Sequence, residues 1–140
     1  LRDRLNTRDM LQRKNWHVDD HTCVLCPYLI HEGVGHLFFS CIFSQRVWNY
    51  LQIAWDPLPG MTTYQMALKA KNDFDKPFFT EVVFTAAWNI WIIRNGKVFR
   101  NERTSFRAWR HNFIHDITLL SHRIKCKYRD SFLSWISNLP

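Results

Sequence analysis

The chain contains 140 residues, of which 46% are hydrophobic and 16% aromatic, and this is enough for one domain with a packed core. Its 19 lysines and arginines against 12 acidic residues give a formal net charge of +7, which favours polyanionic partners. The longest apolar stretch, residues 78–93, contains Glu81 and Asn89 and falls short of a membrane span, and the charged start is unlike a signal peptide. We therefore expect no membrane partner, and we interpret the chain, which starts with Leu1, as a piece of a longer protein.

The first predicted helix lies near the N-terminus. Thr7 has the side chain and position of an N-cap, and we expect the helix to extend to about Asn15 with Met10 and Leu11 facing inward. A segment rich in cysteine, histidine and glycine follows, from about residue 16 to residue 41. Its glycines and its proline predict turns, with at most a two-strand element, and the chain contains no other β pattern.

Three cysteines and one histidine in this segment have the spacing C-x2-C-x9-H-x4-C: Cys23, Cys26, His36 and Cys41. Zinc prefers four thiolate or imidazole ligands in tetrahedral geometry, and four protein ligands leave no open position for a substrate. The spacing therefore predicts one structural zinc ion. Because free thiols require a reducing compartment, we expect an intracellular protein of the nucleus or the cytoplasm.

The ligand set has alternatives. His31 follows Cys26 at the x4 step of a retroviral-type knuckle and competes with His36 for the third ligand position. His36 has the x4 step to Cys41 and is the interpretation we favour. The alternative to any metal site is that the three cysteines are unrelated to one another.

Other reactive groups have simpler explanations. Asp19 and Asp20, beside His17 and His21, are candidates for a second metal site, but adjacent residues on a loop usually bind no metal. Cys126 lacks a catalytic signature and is interpreted as a buried or idle thiol. The acidic residues show no motif for Mg²⁺-dependent polymerase or nuclease chemistry. We therefore expect a chain that is not an enzyme and has no small-molecule substrate.

Two short helices are predicted next. Ser44 is expected to cap the first of them. Its inner face is formed by three apolar residues at helical spacing: Val47, Trp48 and Leu51. Residues 56–60 predict a loop, after which Thr62 or Thr63 begins a helix that ends near Asn72.

The longest helix is predicted from about Lys76 to Arg100. It carries two apolar stripes, one of Phe79, Val83, Ala86, Ile90 and Ile93 and one of Phe84, Trp88, Trp91 and Val98. A helix that is apolar on most of its surface is usually wrapped by other helices. We therefore expect five aromatic residues to form a core around it: Phe84, Trp88, Trp91, Trp109 and Phe113.

A basic helix is predicted from Ser105, with apolar residues at helical spacing as far as Ile124, and a final short helix from Ser131 to Ile136. The candidate nucleic-acid-binding residues are Arg107, Arg110, His111, Lys125, Lys127 and Arg129, since basic residues on one face neutralise phosphates. The alternative is a solvated helix face without a ligand. Trp16 and Tyr28 are further candidates for base stacking, although burial is favoured for Trp16.

Several strings resemble a known family when they are taken in order: Thr7-Arg8-Asp9-Met10-Leu11, Cys23-Val24-Leu25-Cys26, His36-Leu37-Phe38-Phe39-Ser40-Cys41 and Val47-Trp48. They resemble the reverse-transcriptase zinc-binding domain (zf-RVT) of plant LINE-type (non-LTR) retrotransposons and their domesticated relatives. The string over residues 88–99 is similar to the segment that commonly follows that domain. The resemblance implies that the three cysteines and His36 are metal ligands. It also implies that polymerase and endonuclease chemistry lies in other domains.

The residues and the resemblance together predict two regions. Residues 1–55 are a zinc-binding module with flanking helices, and residues 56–140 are a helical extension packed on it. The predicted function is a non-catalytic zinc-binding module that binds RNA or DNA, within or derived from a LINE-type reverse-transcriptase polyprotein. The alternative is a protein–protein interaction module reused by the host, which the dense aromatic content supports.

Overall fold

The computed structural model describes residues 5–14, 20–56 and 58–140. The regular structure of these residues is helical, apart from one antiparallel bridge between Thr22 and His31. The helices are α1 (Arg8–Arg13), α2 (Ile42–Tyr50), α3 (Thr63–Phe74), α4 (Phe79–Arg100), α5 (Phe106–Leu120) and α6 (Cys126–Ser137), with a π-helical turn (His36–Ser40) before α2. The predicted fold class, all-α with a small cysteine- and histidine-containing segment near the N-terminus, is confirmed. None of the described helices is both long and apolar enough to cross a membrane.

Helix α1 begins where the sequence predicts. The Thr7 side chain accepts a hydrogen bond from the backbone N–H of Met10 at 3.4 Å, which satisfies one of the free donors of the first turn. Met10 and Leu11 are half-buried. Helix α1 ends at Arg13, and Asn15, the predicted end, lies outside the described residues.

Helix α2 begins at Ile42 with Cys41 in the N-cap position, so the predicted N-cap at Ser44 is wrong. Ser44 lies inside the helix, where its buried hydroxyl donates to the backbone carbonyl of Leu37 at 2.5 Å. The hydroxyl therefore ties α2 to the π-helical turn and does not cap the helix. The predicted inner face is confirmed, since all three of its residues are buried: Val47, Trp48 and Leu51.

Helix α3 is closed at its start by a capping box. The side chain of Thr62 accepts from the backbone N–H of Gln65 at 3.2 Å, and the Gln65 side chain accepts from the backbone N–H of Thr62 at 2.8 Å. The helix ends at Phe74, slightly beyond the predicted end. Asp75 follows in the left-handed conformation, with φ of 51°, and turns the chain toward α4.

Helix α4 is the longest element, but other helices do not surround it. It begins at Phe79, later than predicted, and ends at Arg100 as predicted. One face is buried: Phe79, Val82, Ala86 and Ile90. On another face, Phe84 is 63% exposed and Trp88 is 57% exposed. The prediction that Phe84 and Trp88 belong to the core is therefore wrong, because α3 and α5 pack on α4 and leave this face open.

Helix α5 packs against α4 through buried aromatic rings. The Ser105 hydroxyl caps it by accepting from the backbone N–H of Ala108 at 3.0 Å. Trp109 and Phe113 are fully buried and their rings stack with centroids 5.0 Å apart, so these two core predictions are confirmed. The Trp109 indole also donates to the backbone carbonyl of Ala86 at 3.3 Å, which fixes the position of α5 on α4.

The predicted basic helix is interrupted. Helix α5 ends at Leu120, and a turn over residues 121–125 precedes α6. Helix α6 begins at Cys126, so the final helix is longer than predicted and includes basic residues that we had expected on α5.

Aromatic contacts join the N-terminal part of the chain to the later helices. The ring of Trp55 lies 5.2 Å from that of Phe39 and 6.2 Å from that of Phe79 in α4. Tyr50 of α2 lies 5.9 Å from Trp109 of α5. One contiguous hydrophobic cluster extends from the cysteine-containing segment to α6. The predicted division at residues 55 and 56 stays a prediction.

Candidate metal centre

Cys23 and Cys26 lie on a short hairpin held by backbone hydrogen bonds. The N–H of Cys23 donates to the carbonyl of Ile30 at 2.8 Å, and the N–H of Glu32 donates to the carbonyl of His21 at 2.9 Å. These bonds close the turn that contains Cys26. The hairpin therefore presents two sulfurs from neighbouring positions, as zinc-binding turns do.

His36 and Cys41 come from the π-helical turn. The N–H of Cys41 donates to the carbonyl of His36 at 2.7 Å, which is the i to i+5 bond of a π-helix. In an α-helix, side chains five residues apart point about 140° away from each other. The wider turn reduces this divergence, so both side chains face the hairpin. Leu37 and Phe38 between them are buried and hold the turn against the core.

The donor atoms of Cys23, Cys26, His36 and Cys41 all lie within 4.8 Å of one another. The sulfurs of Cys23 and Cys41 are 3.8 Å apart, and the sulfur of Cys26 is 3.5 Å from Nε2 of His36. Tetrahedral zinc, with Zn–S bonds of about 2.3 Å and Zn–N bonds of about 2.0 Å, requires donor separations of about 3.5–3.8 Å. The cluster therefore fits one structural zinc ion, and its cysteines are free thiols.

The geometry distinguishes the two candidate histidines. Oγ of Ser40 lies 3.3 Å from Nδ1 of His36, and this contact orients the ring so that Nε2 faces Cys26. His31 is exposed, stacks on His21 at 5.5 Å and lies outside the cluster. The sequence did not single out Ser40, although it stands one helical turn after His36.

The thiols of Cys23 and Cys41 lie within hydrogen-bonding distance of each other. A hydrogen bond from Cys23 lowers the pKa of Cys41 to about 6, and the same bond, with burial, raises the pKa of Cys23. The pair therefore holds one negative charge readily near neutral pH and keeps one proton. Zinc binding displaces such protons, because thiols bind the metal as thiolates.

A buried ion pair connects the zinc hairpin to α4. Glu32 lies between the second and third cluster residues, and both it and Arg94 of α4 are fully buried. Nε of Arg94 lies 3.1 Å from each carboxylate oxygen of Glu32, and the backbone N–H of Arg8 donates to the same carboxylate at 2.9 Å. Arg94 is a charged residue near the C-terminal end of α4, a position at which burial is not expected. Its spacing of four residues from Ile90 was the available signal that it continues the buried stripe.

The second metal site, which the sequence offers as a candidate but does not favour, gains no support. Asp20 accepts hydrogen bonds from the backbone N–H and the hydroxyl of Thr22 at 2.8 and 2.7 Å, and these bonds lower the pKa of Asp20. Asp20 also forms an ion pair with Arg8 at 3.4 Å. His17 and Asp19 lie outside the described residues. Cys126 is exposed at the start of α6.

The predicted nucleic-acid-binding residues form two groups. Arg107, Arg110 and His111 lie in the first half of α5 and are named here the α5 basic cluster. Lys125, Lys127 and Arg129 lie at the start of α6 and are named the α6 basic cluster. Since an α-helix rises about 1.5 Å per residue, the two clusters lie at opposite ends of α5, on the order of 20 Å apart.

The members of these clusters differ in their surroundings. Four of them are exposed: Arg107, His111, Lys125 and Lys127. The Lys127 ammonium lies 4.7 Å from the centroid of the Tyr128 ring. Arg110 is exposed but donates to the Tyr50 hydroxyl at 3.0 Å and to the carbonyl of Pro140 at 2.9 Å. Arg129 is half-buried and donates to the carbonyl of Ser121 at 3.2 Å. Tyr28, the candidate stacking residue near the zinc hairpin, is 61% exposed, and Trp16 lies outside the described residues.

A family model described as zf-RVT, zinc-binding in reverse transcriptase, matches residues 1–48. Residues 1–48 therefore carry the reverse-transcriptase zinc-binding domain that the sequence predicts. This zinc-binding domain contains all four members of the cysteine–histidine cluster. The string over residues 88–99 and both basic clusters lie outside the match. No curated protein and no solved structure matches the chain.

Proposed function

We propose that this chain is a non-catalytic, zinc-stabilised module that binds RNA or DNA within, or derived from, a LINE-type reverse-transcriptase protein. Zinc is held through Cys23, Cys26, His36 and Cys41, and its role is to fold the hairpin and the π-helical turn together. Because four protein ligands complete a tetrahedral shell, the metal has no open position at which to activate water. The chemistry of reverse transcription belongs to other parts of such a protein.

The observation that carries the proposal is the exposed positive charge of α5 and α6. The segment from residue 105 to residue 130 contains six lysines and arginines against two aspartates, and the whole chain has a net charge of +7. Five of these six basic side chains are exposed, in two groups near the two ends of the segment: Arg107 and Arg110, and Arg123, Lys125 and Lys127. Such residues neutralise phosphates and release counterions, which is the main source of sequence-independent affinity for nucleic acids.

The location follows from the thiol chemistry. A site with three free cysteines requires a reducing compartment, so the protein acts inside the cell, in the nucleus or the cytoplasm. Neither a membrane nor a small-molecule substrate is part of the proposed function.

The test is a salt-dependent binding titration of the zinc-loaded chain with single-stranded RNA, duplex DNA and a non-nucleic polyanion. Each phosphate contact should add about 0.9 to the log–log salt slope on a duplex and about 0.7 on a single strand. The triple variant Arg107→Glu, Lys125→Glu and Lys127→Glu should lose binding at moderate salt and keep the thermal stability of the wild type. Arg110 is left unchanged because its contact with Tyr50 supports packing.

Sequence discrimination should be weak, because phosphate contacts position a protein without reading bases. Absence of binding to every nucleic acid even at low salt, with the polyanion also unbound, would refute the proposed function.

A second candidate function is a protein–protein interaction module reused by a host. The observation that favours it is the open aromatic face of α4, where Phe84 and Trp88 are more than half exposed. Exposed apolar patches of this kind often mark interaction sites. Pull-down of one specific protein by a chain that binds no nucleic acid would select this function.

A further inference from the structure

An open groove lies on the surface between α4 and α5, between the two basic clusters. It consists of two adjoining hollows of about 620 Å³ and 320 Å³, and Trp88 and Asp116 line both of them. Phe84 and Leu119 line the larger hollow, and His111 lines the smaller one. We name this feature the α4–α5 groove. Its central residue, Trp88, is 57% exposed, so the groove presents an aromatic surface to solvent.

Two aromatic side chains form one wall of the groove. Phe84 and Trp88 are four residues apart on α4, so they project from the same face about 6 Å apart along the helix axis. Aromatic rings displayed in this way stack the bases of a single strand, and they do so with little sequence preference because every base has a flat face. The aromatic pair therefore supplies a kind of contact that lysine and arginine do not.

The groove connects the two basic clusters. Its larger hollow ends at Arg123, two residues before the α6 basic cluster begins at Lys125, and its smaller hollow ends at His111 of the α5 basic cluster. Asp116 lies at the centre, where its carboxylate accepts from the Asn89 side chain at 3.0 Å. A central negative charge disfavours a phosphate there, whereas the two ends attract one. This order of charges matches a ligand whose uncharged bases lie over the centre and whose phosphates lie toward the ends.

We propose that the α4–α5 groove holds a single strand of RNA or DNA, with bases stacked on Trp88 and Phe84 and phosphates paired with the basic clusters at both ends. The inference rests on the proposed nucleic-acid binding and adds the form of the ligand and its place. A duplex keeps its bases stacked on one another and offers none to these rings. An apolar protein segment would use the rings but gains nothing from cationic ends.

The test compares three ligands of equal length on the full, zinc-loaded chain: a base-bearing single strand, an abasic strand with the same phosphates, and a duplex. The base-bearing strand is used as oligo(U) RNA and as oligo(dT) DNA, so that a preference for either sugar is measured. Trp88→Ala and Phe84→Ala remove the rings. Phe99→Ala is the matched control, because Phe99 lies on the same helix, is 68% exposed and does not line the groove.

We expect the wild type to bind the base-bearing strand more tightly than the abasic strand. Trp88→Ala should weaken binding of the base-bearing strand roughly 5- to 150-fold and leave the abasic strand and the duplex unchanged. Phe84→Ala should act in the same direction, and Phe99→Ala should have no effect. Since all three side chains are exposed, the variants should melt at the wild-type temperature.

Other outcomes separate this inference from the proposed function. Equal affinity for base-bearing and abasic strands, or a Trp88→Ala effect equal on both, overturns the groove while the charge-based binding stands. A chain that binds no ligand at low salt overturns both. A dimer in sedimentation equilibrium that Trp88→Ala converts to monomer identifies the groove as a protein contact and overturns the inference.

Discussion

The buried Glu32–Arg94 pair yields a sharp prediction about stability. Both side chains are fully buried, and two of their contacts are 3.1 Å long. Arg94→Met removes the cation and leaves the Glu32 carboxylate buried, and within the described part of the chain the backbone N–H of Arg8 remains as its hydrogen-bond partner. Removing one partner of a buried ion pair costs about 3–5 kcal/mol, because the other charge stays desolvated. This is a large share of the roughly 5–15 kcal/mol by which domains are stable.

The measurement is urea unfolding of the zinc-loaded chain followed by circular dichroism. With a urea slope of about 2 kcal/mol/M, the midpoint of Arg94→Met should fall by about 1.5–2.5 M. Combining Arg94→Met with Glu32→Gln removes both charges and keeps an acceptor for Arg8. The double variant should therefore be about 2–3 kcal/mol more stable than the sum of the two single losses predicts.

The control is Arg100→Met, the same substitution on the same helix. Arg100 forms an ion pair with Glu102, but their side chains are 58% and 55% exposed, so solvent screens the charges and the urea midpoint should hardly move. The reasoning fails if Arg94→Met shifts the midpoint no more than Arg100→Met does. It fails equally if the losses of the two single variants simply add in the double variant.

Three further predictions concern the metal and the core. Cys26→Ser should abolish stoichiometric zinc in elemental analysis and lower the melting temperature, since structural zinc contributes folding free energy; retention of one zinc per folded chain would contradict the site. Because the pKa of Cys41 is lowered to about 6, its thiolate is present above that pH and is lost as the pH falls through it. Cys23, whose pKa is raised, must also lose its proton to bind zinc, so zinc affinity, measured by competition with a chromophoric chelator, should fall steadily as the pH is lowered from about 8 to about 5. Equal affinity at pH 7 and pH 5 would exclude thiolate ligation. Trp109→Ala should cost about 3–5 kcal/mol because the ring is fully buried, whereas Trp88→Ala should cost about 0.5 kcal/mol or less, and urea midpoints that rank the two in the opposite order would refute the assigned core.

Local chemistry made part of the structure predictable from the sequence. The caps at Thr7 and Ser105 were predictable because a cap acts within three residues of its position. The cysteine–histidine cluster was predictable because its four members lie in two short segments with zinc-type spacing. The prediction of an N-cap at Ser44 was wrong because the Ser44 hydroxyl donates to the carbonyl of Leu37 in the preceding turn. The sequence pattern of a helix cap does not indicate this contact.

Features that depend on which helix covers which face were not predictable. Periodicity places Phe84 and Trp88 on one stripe of α4, but it does not say that no helix lies over that stripe. The burial of Arg94 was not predictable because its partner, Glu32, lies 62 residues away in the sequence. The break after Leu120 was also missed, because the apolar spacing of α5 continues to a residue in the turn that follows.

The π-helical turn has a consequence for how the chain tolerates insertions and deletions over evolutionary time. One backbone hydrogen bond of the i to i+5 type joins His36 and Cys41. A single residue gained or lost between them would therefore move the imidazole of His36 or the sulfur of Cys41 away from the other donor atoms of the cluster. The stretch between Cys26 and His36 contains an exposed hairpin tip, where extra residues would project into solvent. Descendants of this sequence should therefore vary in the length of the x9 interval and keep the x4 interval fixed, with Glu32 retained wherever an arginine faces it.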